Sequence, residues 1–95
     1  MTIRWLPEAR TDIVRLHTFL SQKNPHAATR AIHAIREGAL ILCASPEIGR
    51  PMNDTTGQRE LFIPFASGNY VLRYIRDPDG VPVILRVWHN REQRE

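Results

Sequence analysis

Cysteine and lysine are almost missing from this 95-residue chain: Cys43 and Lys23 are the single examples of each. One cysteine excludes an internal disulfide and suits a reducing cytoplasm; Cys43 itself reads as a small packing residue. No apolar run approaches the roughly 20 residues that a membrane helix requires. The opening Met1–Pro7 lacks the apolar stretch of a secretory signal. A cytoplasmic location without a membrane partner is therefore expected. Phosphate loops are missing as well, since Gly49-Arg50-Pro51 has neither the spacing nor the lysine that such a loop uses. There is no Gly-x-Ser-x-Gly nucleophile elbow. The four histidines are dispersed. His33 and Glu37 lie one helical turn apart and His17 reaches His33 only across a hairpin, which falls short of the three or four clustered ligands zinc takes. No metal and no cofactor is expected.

What is present is arginine. Of 13 cations, all but Lys23 are arginine, and the formal net charge is +3. The planar guanidinium suits phosphate and carboxylate partners, but so modest a charge does not by itself identify a nucleic-acid binder. The length allows one domain, residues 1–95.

Ile3–Leu6 is a short β-prone start ended by Pro7. From there Ala9, Ile13, Leu16 and Leu20 recur at helical spacing with Phe19 beside them, which predicts a helix over about 7–22. Proline suits its first position, and Glu8 and Asp12 complement the dipole of its first turns. Asn24-Pro25 starts a second helix as cap and first residue. Its stripe is Ala28, Ile32, Ile35, Ala39 and Leu42, ending before Ser45-Pro46. The short link between the helices predicts an antiparallel hairpin. Residues 45–58 read as a loop. The period then changes to two. Strands are predicted at Arg59–Ile63, stopped by Pro64, at Tyr70–Arg76, and at Val83–His89, with Asp77-Pro78-Asp79-Gly80 as a hairpin turn. Residues 90–95 form a short polar tail. The expected fold is α+β, in the order βααβββ: a helical hairpin packed on one face of a small, mostly antiparallel, twisted sheet.

Alternation divides each strand into two faces. In the last strand Val83, Leu85 and Val87 are expected to meet the helices, leaving Ile84, Arg86 and Trp88 on the opposite, uncovered face with Arg73 and Glu60. An apolar, uncovered sheet face predicts a docking surface. One cluster is chemically suggestive. His89-Asn90-Arg91 follows the last strand, with Arg73 or Arg86 within reach. A histidine beside arginines that hold a phosphate can support phosphodiester cleavage, and the same residues can equally be a polar strand end.

The succession Trp5-Leu6-Pro7-Glu8-Ala9, Asp12-Ile13, Asn24-Pro25 with Ala27-Ala28, Pro46, Gly49-Arg50-Pro51, Arg59-Glu60-Leu61, Tyr70-Val71-Leu72-Arg73-Tyr74 and Val83–His89 resembles the RelE/ParE family of bacterial toxins from type II toxin–antitoxin modules. The resemblance implies a growth-arresting toxin with this same fold. It implies neutralisation by a small, partly disordered, DNA-binding antitoxin, and contact with operator DNA only through that antitoxin. An acidic antitoxin segment that folds on binding fits the slightly basic charge, with Arg73, Ile84, Arg86 and Trp88 as its contacts. One branch of the family cleaves mRNA on the ribosome; the ParE-like branch is not a nuclease and poisons DNA gyrase. The cleaving branch has an arginine after the first tyrosine of the Tyr-x-x-x-Tyr strand, where this chain has Val71. It has a tyrosine near the C-terminus, where this chain has none after Tyr74. Its arginine after the last strand is matched by Arg91. The resemblance therefore points to the ParE-like branch, with Trp88, His89 and Arg91 as target contacts. On the nuclease alternative, Arg91, His89, Arg73 and Arg86 are the catalytic candidates.

Overall fold

A computed structural model describes residues 2–92. Residues 93–95 of the predicted tail lie outside the described residues. Strand β1 (Arg4–Trp5) leads into α1 (Pro7–Ser21) and α2 (Pro25–Ala44); β2 (Arg50–Pro51), β3 (Arg59–Phe65), β4 (Gly68–Arg76) and β5 (Pro82–His89) follow. The five strands make one sheet in the order β1-β5-β4-β3-β2. β1 is parallel to β5, and every other pairing is antiparallel. This is the predicted α+β architecture with one addition: Arg50–Pro51, read as loop from the sequence, pairs with Glu60 and Arg59 as a two-residue edge strand.

Local chemistry accounts for the element ends. Pro25 opens α2 behind Asn24, whose side chain accepts a hydrogen bond from the Ala27 amide at 3.1 Å. In the Asp77–Gly80 turn, Asp77 Oδ1 accepts from the amides of Asp79 and Val81, both at 2.9 Å, and Gly80 supplies a φ of +83°. Pro64 does not stop β3, contrary to the sequence reading, because the strand continues to Phe65. Met52 N–H donates to Gln58 O, so even-numbered residues of β3 turn their backbone away from β4. The N–H that proline lacks therefore lies on the open edge, where no ladder bond is lost.

The helices cover one face of the sheet. Ala9, Leu16, Ala31, Ile35, Ala39 and Leu42 pack on Tyr70, Leu72, Tyr74, Ile84 and Val87. Gly38 is part of this contact, since any side chain there would run into Ile63. The last strand departs from simple alternation. Arg73 pairs with Arg86 but Tyr74 pairs with Ile84, so Leu85 is one residue too many on β5 and the strand bulges. The bulge reverses the parity below it. Ile84, expected on the uncovered face, is instead fully buried against the helices, whereas Val83 sits across from Ile75 on the other face.

The uncovered face is also less open than the sequence suggests. Phe62, Val71 and Trp88 form one row across β3, β4 and β5. The Arg50 guanidinium lies 5.0 Å from the centre of the Phe62 ring, and that of Arg73 lies 4.9 Å from the Trp88 ring. Trp88 is 9% exposed. The chain's own arginines roof the apolar row.

The loop before β3 is held from beneath by Tyr74. Its hydroxyl donates to Pro46 O at 2.8 Å and accepts from the Gly49 amide at 2.9 Å. Arg59 Nη1 adds a hydrogen bond to Gly49 O at 2.7 Å. A Cβ on Gly49 would sit 2.5 Å from the Tyr74 hydroxyl oxygen, so glycine is required by close approach. These contacts give the Gly-Arg-Pro stretch and Arg59 a structural role.

Candidate functional site: the groove beside the chain end

The end of β5 meets the β3–β4 hairpin and the second half of α1. Asn90 N–H donates to Asn69 O at 2.8 Å, and the Asn90 side-chain oxygen accepts from the Asn69 amide at 2.9 Å. This bond pair extends β5 alignment past its last residue. The approach is close enough that a Cβ on Gly68 would lie 2.6 Å from Asn90 Oδ1 and 2.7 Å from His89 Cε1.

Both ring nitrogens of His89 are engaged. Nδ1 accepts from the Arg91 amide at 3.2 Å, and Nε2 is 3.2 Å from Phe65 O. An N–H on one side and a carbonyl on the other fit the tautomer that donates from Nε2. The ring stands edge-on to Tyr70, 4.9 Å between centres. Arg91 is exposed, and its Nη1 reaches Ser67 O at 3.4 Å. Glu92 accepts from the His89 amide at 3.1 Å and pairs with Arg15 of α1.

These residues border a groove of about 590 Å³ walled by Phe19, Leu20, Phe65 and Tyr70, with Arg15 and Arg91 at its rim. Phe19 is 56% exposed. Tyr70 is buried, with its ring 5.3 Å from that of Phe65 between centres. Burial, followed by the nearby charge of Glu92, raises the Tyr70 pKa above its ordinary value of 10.0.

The predicted site residues separate into three places. His89 and Arg91 belong to this groove. Arg73 lies on the opposite sheet face, bonded to Glu60 Oε2 through Nε at 3.1 Å and Nη2 at 2.7 Å. Arg86, expected to look outward beside Arg73, is bonded instead to Asp12 of α1, Nε to Oδ2 at 2.8 Å and Nη2 to Oδ1 at 3.1 Å. Ile84 is wholly buried and Trp88 nearly so, which removes Ile84 from any docking surface and leaves Trp88 covered by Arg73.

Sequence reasoning misses Asp12, Arg15 and Tyr70 as parts of this region. Asp12 is the one buried charged residue among those described. Its Oδ2 also accepts from the Val87 amide at 2.8 Å, and Arg15 donates to Val87 O at 3.3 Å. Beyond the short β1, two side chains of α1 thus satisfy the backbone edge of β5. Burial pushes the Asp12 pKa up. The donors Arg86, Val87 and Arg15 more than offset it and leave the carboxyl below its ordinary 3.8. The signal available in the sequence was the three-residue step from Asp12 to Arg15, which puts both on the helix face that meets the strand.

Among the described residues no group of three His, Cys, Asp or Glu side chains is placed to hold a metal, and no helix is long and apolar enough to cross a membrane. His33 and Glu37 do meet, at 3.3 Å, on the exposed side of α2.

A helical hairpin on a twisted, mostly antiparallel sheet, with a groove where the last strand ends, defines a small α+β protein. Residues 3–94 match the family model described as the ParE toxin of the type II toxin–antitoxin system parDE, and the chain belongs to the RelE/ParE family of toxins. It is 39% identical over 88 residues to toxin RelE3 of Caulobacter vibrioides, covering 93% of this chain and 92% of that protein. It is 40% identical over 87 residues to toxin RelE1 of the same organism, covering 90% and 89%. Its fold matches a chain of the chromosomal ParDE system from P. aeruginosa with a TM-score of 0.76 at 22% identity, covering 94% of this chain and 95% of that one.

Proposed function

We propose that this chain is the toxin of a type II module, held inactive by a small cognate antitoxin, and that it arrests growth by binding DNA gyrase. One observation carries the choice of contact over chemistry: the groups a nuclease would use are already engaged and are dispersed. His89 has both nitrogens in hydrogen bonds, and Arg73 and Arg86 are each held by a carboxylate. A general base must reach the proton it removes, and cations must converge on the phosphate. Arg91 is the one arginine candidate whose side chain has no carboxylate partner among the described residues. It lies beside an apolar groove, a setting suited to a protein surface.

The second reading, ribosome-dependent mRNA cleavage, draws on the relatives named RelE and on Arg91. Two assays separate the readings. Purified chain added to gyrase, ATP and relaxed plasmid is expected to block supercoiling or trap cleaved DNA; an unaffected gyrase removes the gyrase claim. Primer extension on total RNA after induction is expected to show no codon-linked cuts; such cuts establish the second reading instead.

A further inference from the structure

The β3–β4 hairpin turns on two residues, Ala66 and Ser67, between the paired Phe65 and Gly68. Three of the described residues take a positive φ, and two of them, Gly57 and Gly80, are glycines. The third is Ala66, at +56°. A Cβ in the left-handed region crowds the following carbonyl oxygen, which is why short hairpin turns favour glycine or asparagine there. This turn keeps a methyl in spite of that cost. Folding gains little from it, because Ala66 is exposed.

The strained turn is gripped by three consecutive residues of the chain end. His89 Nε2 reaches Phe65 O at 3.2 Å, and Arg91 Nη1 reaches Ser67 O at 3.4 Å. Between them, Asn90 is bonded to the backbone of Asn69 through both its amide and its side chain. Gly68 makes room for all three, since an added Cβ there would stand within 3.0 Å of each. A backbone outlier persists only where its surroundings over-determine it, and such outliers concentrate at binding sites. The grip supplies that over-determination. The cluster His89-Asn90-Arg91 thus has a task besides bordering the groove: it fixes the hairpin tip. Ala66 in turn lines the same groove as Phe19 and Leu20 of α1. Stability alone would exchange this side chain for glycine, and the groove is the one setting in which its methyl has a use.

We infer that Ala66 is a specificity-determining contact of the target groove and that His89 is its positioning residue. The inference rests on the reading above, in which this groove meets the toxin's target. The methyl gives the groove a rigid apolar border, and glycine in its place leaves a looser one. His89 acts through its hold on the Phe65 carbonyl, next to the tip.

The test expresses the full chain and its variants and reads the amount of soluble chain per cell that gives half-maximal growth arrest. The thermal midpoint of each purified protein is measured alongside. Ala66→Gly relieves the dihedral and is expected to raise the midpoint by about 2–4 °C, while about tenfold more chain is needed for arrest. Gained stability with lost potency is a combination that a purely structural residue does not give. His89→Gln keeps a donor for Phe65 O and is expected to retain more potency than His89→Ala at equal soluble level. A lowered midpoint in Ala66→Gly, or arrest within about twofold of the wild type, overturns the assignment of Ala66. Equal potency of the two His89 variants overturns its positioning role. A wild type that arrests growth but leaves gyrase supercoiling intact removes the gyrase reading alone, and the Ala66 comparison still decides the tip. A wild type without growth arrest removes the toxin reading and this inference together.

Discussion

Asp12 Oδ2 receives two hydrogen bonds of equal length, 2.8 Å from Arg86 Nε and 2.8 Å from the Val87 amide. One carboxylate oxygen thereby joins α1 both to the side chain and to the backbone of β5. Removing it leaves a backbone N–H and a guanidinium without their acceptor. Asp12→Ala is expected to lower stability by about 2–4 kcal/mol, and Asp12→Asn by less because one acceptor survives. Urea unfolding of the purified chain measures both.

The same carboxylate sets an acid limit. Its folded pKa is depressed below 3.8, so its contribution is fully present above the unfolded pKa and is lost as pH falls through the folded one. The urea midpoint of the wild type should therefore drop below about pH 4, where carboxylates titrate. In Asp12→Asn this part of the drop should be missing. Equal acid sensitivity of the two proteins would assign it to other groups.

Gly49 and Tyr74 form a lock that tolerates no added atom. Gly49→Ala places a methyl 2.5 Å from the Tyr74 hydroxyl oxygen and is expected to cost about 1–3 kcal/mol. Tyr74→Phe removes the bonds to Pro46 and Gly49 but keeps the packing, for about 1–2 kcal/mol. Amide exchange at Gly49 should accelerate in both variants, which separates a loosened loop from global destabilisation.

Gly68 offers a way to displace the chain end without touching it. An alanine there meets Asn90 Oδ1 and His89 Cε1, so the turn at 89–92 must move. Gly68→Ala is expected to cost about 1–2 kcal/mol and to reduce toxicity on induction by more than that loss explains. The comparison is with Tyr74→Phe, a variant of similar cost far from the groove.

Arg91→Ala tests the groove directly. The side chain is exposed, with one long bond to Ser67 O. Its removal should change stability by no more than about 0.5 kcal/mol while growth arrest weakens. Full toxicity in a normally folded variant would remove Arg91 from the contact surface.

How much of this was legible depends on how local the determinant is. The Asn24-Pro25 start and the Asp77–Gly80 turn are set by neighbouring residues, and both form as read. The bulge at Leu85 is set by pairing across strands and by the anchor of Val87 on Asp12, 75 positions away. Alternation alone therefore put Ile84 on the wrong face and left Trp88 uncovered. Asp12 reads as a dipole partner because its Arg86 contact is equally remote, 74 positions along. Phe19, beside a buried stripe in the sequence, becomes a groove wall only once the β3–β4 hairpin is placed next to it.

Finally, consider the two long rims of the sheet. On β5 the free backbone at Val87 is consumed by a carboxylate and a guanidinium; on β3 proline interrupts the donors at position 64. Neither rim can template a matching strand from a neighbour. Edge-to-edge pairing between copies of this chain is thereby disfavoured at both rims.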